Sequence, residues 1–324
     1  MEKRRQFLKT AGTFAAASLV LPFGCTTKKP AEAVAEQAAV EVTKKDIGLQ
    51  LYTLRNEIQK DGVEATLKAV ADKGYKWMEP FGYEGRKFLG KTPQEFAQIC
   101  ADLGMSVPSV HSVTEVSSSG GKDAILDQMK SAVEDGLPLV QNTALGSPEP
   151  EDRTSLEDYK RHIETWNKFG EVCKSAGIQF AYHNHDFEFI DFGGTKPYDL
   201  IMQNTDSDLV KFEMDLFWVA IAGQDPVEWI NKEPGRFHLW HVKDMVSPEN
   251  KYVIDGMDRF FAPVGQGTID FKRIFEARGT SGMQYFFVEQ DFTPVGISPL
   301  DTIGTSWNYL NTAALRLAFI QTNE

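Results

Sequence analysis

Trp166-Asn167-Lys168-Phe169-Gly170-Glu171-Val172-Cys173-Lys174-Ser175-Ala176-Gly177-Ile178-Gln179-Phe180-Ala181-Tyr182-His183-Asn184-His185 carries one regular element into the next. Trp166, Phe169 and Cys173 fall three and four residues apart, the spacing of one helix face, and they close a helix expected over Ser155–Ala176. Gly177 then supplies the residue that leaves a helix most easily. The run Ile178–Asn184 that follows has the apolar and aromatic content of a buried strand. Helix, glycine and short apolar strand together form the repeating unit of α/β folds with a parallel sheet.

The unit recurs in both directions. Strands are expected at Ile47–Tyr52, Lys76–Glu79, Ser106–His111, Pro138–Thr143, Ile178–Asn184, Val210–Asp215, Phe237–Val242 and Tyr285–Glu289. Thr92-Pro93-Gln94-Glu95 reads as a capping box with proline at the first helical position. Asp225-Pro226 opens another helix, and Asp301–Ala318 is expected to be the last. Gly74, Gly104, Gly136, Gly177 and Gly279 sit where helices should end. Eight such units make a (β/α)₈ barrel of about 250 residues, and residues 46–324 of the 324-residue chain accommodate one as a single domain.

The composition, 42% hydrophobic and 25% charged, excludes a disordered or membrane-embedded chain. A formal net charge of −12 opposes nucleic acid as a partner. Three cysteines are too few and scattered for a disulfide framework, and Cys100 and Cys173 have the setting of buried thiols. Ahead of the barrel, residues 1–25 run from Lys3-Arg4-Arg5-Gln6-Phe7-Leu8-Lys9 through an apolar stretch, Ala11–Leu21, to Pro22-Phe23-Gly24-Cys25. This resembles a twin-arginine export signal, and its apolar run is too short to span roughly 30 Å of hydrocarbon. Cys25 after Gly24 resembles a lipobox, although Leu21 stands four residues before it and Pro22 intervenes, so a lipid anchor and an incidental cysteine both stay open. Residues 26–45 read as a tether. The expectation is an exported protein, periplasmic or lipid-anchored at the cell envelope.

In such barrels the catalytic groups gather at the C-terminal ends of the strands. Those positions here hold Gln50, Glu79, His111, Gln141, His183 with His185, Asp215, His241 with Lys243, and Glu289. Five of the six histidines, His111, His183, His185, His238 and His241, lie on strand candidates or directly after one, although histidine is no strand former. Convergence of several with carboxylates points to a metal or acid–base site.

The segments Gly48–Arg55, Tyr182–Phe189, Glu213-Met214-Asp215, Trp240–Asp244, Pro263–Gly267 and Val288–Asp291 resemble the sugar phosphate isomerase/epimerase group of the xylose-isomerase-like superfamily from about Asp46 onward. The resemblance implies one divalent metal held by residues at the ends of strands five to eight, and it carries Asp215, His241 and Glu289 over as ligands. Where relatives place a first glutamate this chain has His183, with His185 or Glu188 as alternatives, Glu188 being equally readable as a loop residue in solvent. Two histidines with two carboxylates suit Mn²⁺, Zn²⁺ or Co²⁺ better than Mg²⁺. Glu289, His183, His185 and Lys243 are the catalytic candidates. Gln50, Glu79, His111 and Trp218 are the substrate-binding ones, Trp218 among the aromatics Trp77, Phe81, Trp240 and Phe261 that could wall a sugar ring. Gly265 and Gly267 shape the loop after strand seven. The leading expectation is an isomerase or epimerase working through an enediolate on a sugar or keto-sugar, unphosphorylated because it is met outside the cytoplasm. The alternatives are a lyase or dehydratase acting on a 3-keto-glycoside or inosose, and a non-catalytic carbohydrate-binding lipoprotein. Relatives often pair, so a homodimer is the oligomer the resemblance suggests.

Overall fold

The computed structural model describes residues 46–84, 86–113, 142–145, 152–246, 260–293 and 296–312. The leader with Cys25, the tether, Gly136 and Gln141 lie outside the described residues. The strands are β1 (Gly48–Gln50), β2 (Trp77–Glu79), β3 (Ser109–Val113), β4 (Asn142–Leu145), β5 (Gln179–His183), β6 (Val210–Asp215), β7 (Leu239–Val242) and β8 (Tyr285–Val288). They form one parallel sheet in the order β2-β1-β8-β7-β6-β5-β4-β3. Its two edges meet through bridges Trp77–Ser106 and Phe81–His111, with Met78 N–H donating to the Ser106 carbonyl at 2.8 Å and His111 N–H to that of Pro80 at 2.9 Å. These bonds close the curled sheet as a TIM barrel.

The third strand starts three residues later than the sequence suggests. Pro108 has no N–H for the ladder, so regular pairing begins at Ser109. The helix Leu156–Ser175 has its expected span, with a capping box between Ser155 and Asp158, and it buries Trp166, Phe169 and Cys173 completely. The Thr92–Glu95 box forms on the helix Pro93–Asp102. Gly279 is not a helix stop: it lies inside the short helix Arg278–Ser281, and Gly282, with φ 76°, makes the left-handed cap. Cys100 and Cys173 are buried free thiols, pushed up to about 12 by burial.

The main core lies between barrel and helices, and Trp240 belongs to it, with Nε1–H donating to Ser281 Oγ. Ala181, Leu239 and Phe287, flanked by Trp77 and Tyr285, form a separate apolar cluster. Side chains alternate faces along a strand, so this cluster inside the barrel puts His183, His241 and Glu289, each two residues further on, one layer higher in the interior.

Candidate metal centre

Asp215 ends β6 and caps the helix Leu216–Ile221: its Oδ1 accepts from Phe217 N–H and Trp218 N–H, each at 3.0 Å. This pins the carboxylate and leaves Oδ2 facing the barrel axis, 3.3 Å from His183 Nε2 and 3.8 Å from His241 Nδ1. Glu289 Oε2 comes within 2.7 Å of the same His241 Nδ1. His183, Asp215, His241 and Glu289 thus converge, with one ligand atom from each inside a 4.8 Å span, and all four are buried. Neither His241 Nδ1 nor Glu289 Oε2 has a well-directed hydrogen bond among the described residues. Unsatisfied buried donors and acceptors are costly, and two nitrogens with two carboxylate oxygens match what a divalent ion needs. The donor set fits such an ion.

A buried cation stands beside it. Lys243 Nζ lies 3.0 Å from Asp215 Oδ2, 2.8 Å from Glu289 Oε2 and 2.8 Å from Asp291 Oδ1. Burial works against its charge, but the three carboxylates outweigh burial and hold its pKa well above the ordinary lysine value. Burial would raise Glu289, yet Lys243 and His241 keep its carboxyl well below the usual range. Burial, only partly opposed by Asp215, pushes His183 down to about 4. His183 is therefore neutral at physiological pH, as a ligand must be.

Below this group lies a second one, Glu79, His111, Glu213 and His241, also buried. Glu79 Oε2 is 2.8 Å from His241 Nε2 and accepts from Gln50 Nε2 at 3.2 Å, while Ser109 Oγ donates to Oε1 at 2.5 Å. His111 Nε2 lies 2.6 Å from Glu213 Oε2. Gln50 and Glu79, expected to touch substrate, are buried with their polar atoms engaged inside the protein. Trp218 and His185 instead face each other at 5.4 Å, and the His185 ring is 4.9 Å from His183. Burial drives the His185 pKa well down.

Glu188 belongs to neither histidine–carboxylate group and does not face solvent. It is fully buried, accepting from Tyr182 Oη–H at 2.6 Å and His185 N–H at 2.9 Å, and so ties the loop after β5 to its strand. His238 is also outside the site: it lies just ahead of β7, three residues before His241, and so falls on the opposite face of the strand with Trp240. Lys243 pairs with Asp215, Glu289 and Asp291 rather than with Asp244 or Glu213. Asp244 is occupied elsewhere, accepting backbone N–H bonds from Met245, Gly265, Gly267 and Ile269. Sequence reasoning placed neither Glu213 nor Asp291 among the site residues and weighed Glu213 only as an ion-pair partner for Lys243. The period of two was the available signal, since Glu213 precedes Asp215 by two and Asp291 follows Glu289 by two.

A closed parallel barrel with a buried histidine–carboxylate group at its strand ends defines a class of barrel enzymes. A family model described as xylose isomerase-like TIM barrel matches residues 67–298, and the chain belongs to that family. It is 27% identical to a sugar phosphate isomerase/epimerase from Parabacteroides distasonis over 88% of this chain and 99% of that one, with a TM-score of 0.70. It is 28% identical over 154 residues to an inosose dehydratase of Geobacillus thermodenitrificans, covering 45% of this chain and 51% of the relative. The chain thus spans about half the length of the curated relatives it matches. A zinc-bound IolI protein, 16% identical over 83% of this chain and 98% of its own, has the same fold with a TM-score of 0.65.

Proposed function

We propose that this protein is a metal-dependent lyase that eliminates a β-oxygen substituent from a cyclic keto-polyol, an inosose or a 3-keto-glycoside. One observation carries the reading: the group that meets Asp215, His241 and Glu289 from the end of β5 is His183, not a carboxylate. Epimerisation through an enediolate calls for two matched proton-transfer groups on opposite faces of one carbon, whereas elimination calls for one base and one proton path to the leaving oxygen. Similarity to inosose dehydratases supports the same outcome.

His183, Asp215, His241 and Glu289 would hold the ion, which when bound supplies Lewis-acid polarisation of a carbonyl and its neighbouring hydroxyl. Mn²⁺, Zn²⁺ or Co²⁺ suits the two nitrogens. Glu289, kept ionised by Lys243 and His241, takes the proton from the carbon beside the carbonyl. Lys243, 2.8 Å from Glu289, offers a fixed positive charge to the oxyanion that develops. His185, half-buried and neutral beside Trp218, passes on the proton taken up by Glu289, accepting it at one ring nitrogen as the other gives its proton to the departing oxygen.

Isomerisation or epimerisation of a keto-sugar is the second reading, favoured by similarity to the Parabacteroides distasonis protein over most of the chain. Incubation of metal-loaded protein with inosose and 3-keto-glucosides, followed by mass spectrometry, separates the two. A product lighter by water or by an aglycone supports the lyase, and a stereoisomer of equal mass overturns it in favour of the epimerase. No turnover with retained sugar binding leaves the carbohydrate-binding alternative. The proposal keeps the substrate unphosphorylated because residues 1–25 resemble an export leader. Cell fractionation with globomycin treatment tests export and the Cys25 anchor together.

A further inference from the structure

We infer that Gln50 and Glu79 are positioning residues for the metal centre: they fix the tautomer of His241 so that its Nδ1 lone pair faces the other three ligands. The inference rests on the proposed metal site and assigns these two residues to it rather than to substrate. The chain of donors starts at a group that cannot be reversed. Tyr52 N–H donates to Gln50 Oε1 at 2.8 Å as the cap of the turn Leu51–Leu54, which sets the orientation of the Gln50 amide. Gln50 Nε2 must then donate, and its acceptor is Glu79 Oε2. Ser109 holds the other carboxylate oxygen, so the Glu79 side chain is clamped from β1 and β3.

His241 Nε2 meets Glu79 Oε2 at 2.8 Å and Glu213 Oε1 at 3.3 Å. Between an imidazole nitrogen and two carboxylate oxygens the proton belongs on the nitrogen, so Nε2 carries N–H. Nδ1 faces Glu289 Oε2 and Asp215 Oδ2 in the same way, so without an ion it is protonated too, and it is the nitrogen that gives up its proton to present a lone pair when an ion binds among those oxygens. A carboxylate holding the far nitrogen of a histidine ligand orients the ring and raises its basicity, and loss of such a partner typically costs about 10–100-fold in metal affinity. Here that partner reaches across the barrel interior from β2 to β7.

The test is a Zn²⁺ competition titration with a chromophoric chelator on wild type, Glu79→Gln and Gln50→Met. It is read together with the long-range ¹H–¹⁵N spectrum of the zinc-loaded proteins and the melting temperature of the zinc-free ones. We expect a His241 Nε2–H signal in wild type, zinc affinity lower by about 10–100-fold in Glu79→Gln and by less in Gln50→Met, and zinc-free melting temperatures that do not account for the loss. Affinities within twofold of wild type in both variants, or an Nδ1–H tautomer in the zinc-loaded wild type, overturn the inference. A second bound zinc that disappears in Glu79→Gln would also overturn it, making the lower group a metal site of its own. Failure of wild type to bind zinc at all counts against the proposed metal site instead, and product identity is not read in this experiment.

Discussion

At the residue scale, Asp215 combines two duties in one carboxylate, and substitution separates them. Asparagine caps a helix as well as aspartate does, whereas alanine costs about 1 kcal/mol at such a position. Asp215→Asn should nearly abolish metal binding and, because it keeps the cap, should lower the metal-free melting temperature less than Asp215→Ala, although both lose the charge that faces Lys243. Asp215→Ala should lose both, as seen by calorimetry in chelator. His183→Glu restores a third carboxylate and should shift metal preference towards Mg²⁺ and Mn²⁺, measured by competition between ions. His238 gives a pH prediction with a definite sign. Burial lowers its folded pKa to about 4, so the unfolded chain binds more protons between that value and the ordinary histidine value of about 6.5. Its contribution is intact above about pH 6.5 and is lost as pH falls towards 4. His238→Gln should flatten that limb of the stability curve by about 1–3 kcal/mol, followed by urea denaturation across the range.

At the element scale, one side chain ties the described segments that follow β7 together. Asp244 binds four backbone N–H groups, and a Cβ at Gly267 would overlap both Asp244 Oδ1 and the Met245 carbonyl oxygen. Neither obstacle is a flexible chain end free to retreat, so Gly267→Ala should destabilise by about 1–3 kcal/mol. Because Lys243 adjoins Asp244, the same variant should reduce turnover more than metal affinity. The elements most legible in the sequence were those with local causes. The capping boxes at Thr92 and Ser155 and the inward face of Trp166, Phe169 and Cys173 depend on neighbours within a few residues. Strand limits were less legible, since pairing partners set them, and β3 begins only where Pro108 permits.

At the scale of the whole molecule, the candidate centre gathers its four side chains from the ends of four strands, so a bound ion would couple β5, β6, β7 and β8. An ion that binds only the folded state should stabilise it by about 2.7 kcal/mol at one hundred times its dissociation constant. Melting curves with increasing Zn²⁺, and after chelation, would reveal the linkage as a rising and then falling melting temperature.

The order of helix, glycine and strand pointed to the barrel and put polar residues at its strand ends, and the resemblance to the xylose-isomerase-like group singled out Asp215, His241 and Glu289 among them as ligands. Those signals are local or periodic, and a single sequence contains them. Which of His183 and Glu188 joins the group was settled only by the tertiary structure, because Glu188 finds its partners in Tyr182 and the His185 backbone and turns away from the axis. The structure likewise placed Glu79 beneath His241, across 162 residues of sequence, and gave Lys243 its three carboxylates. Such contacts arise from closure of the barrel, which brings strands distant in sequence to one axis and leaves no trace in the local spacing of residues.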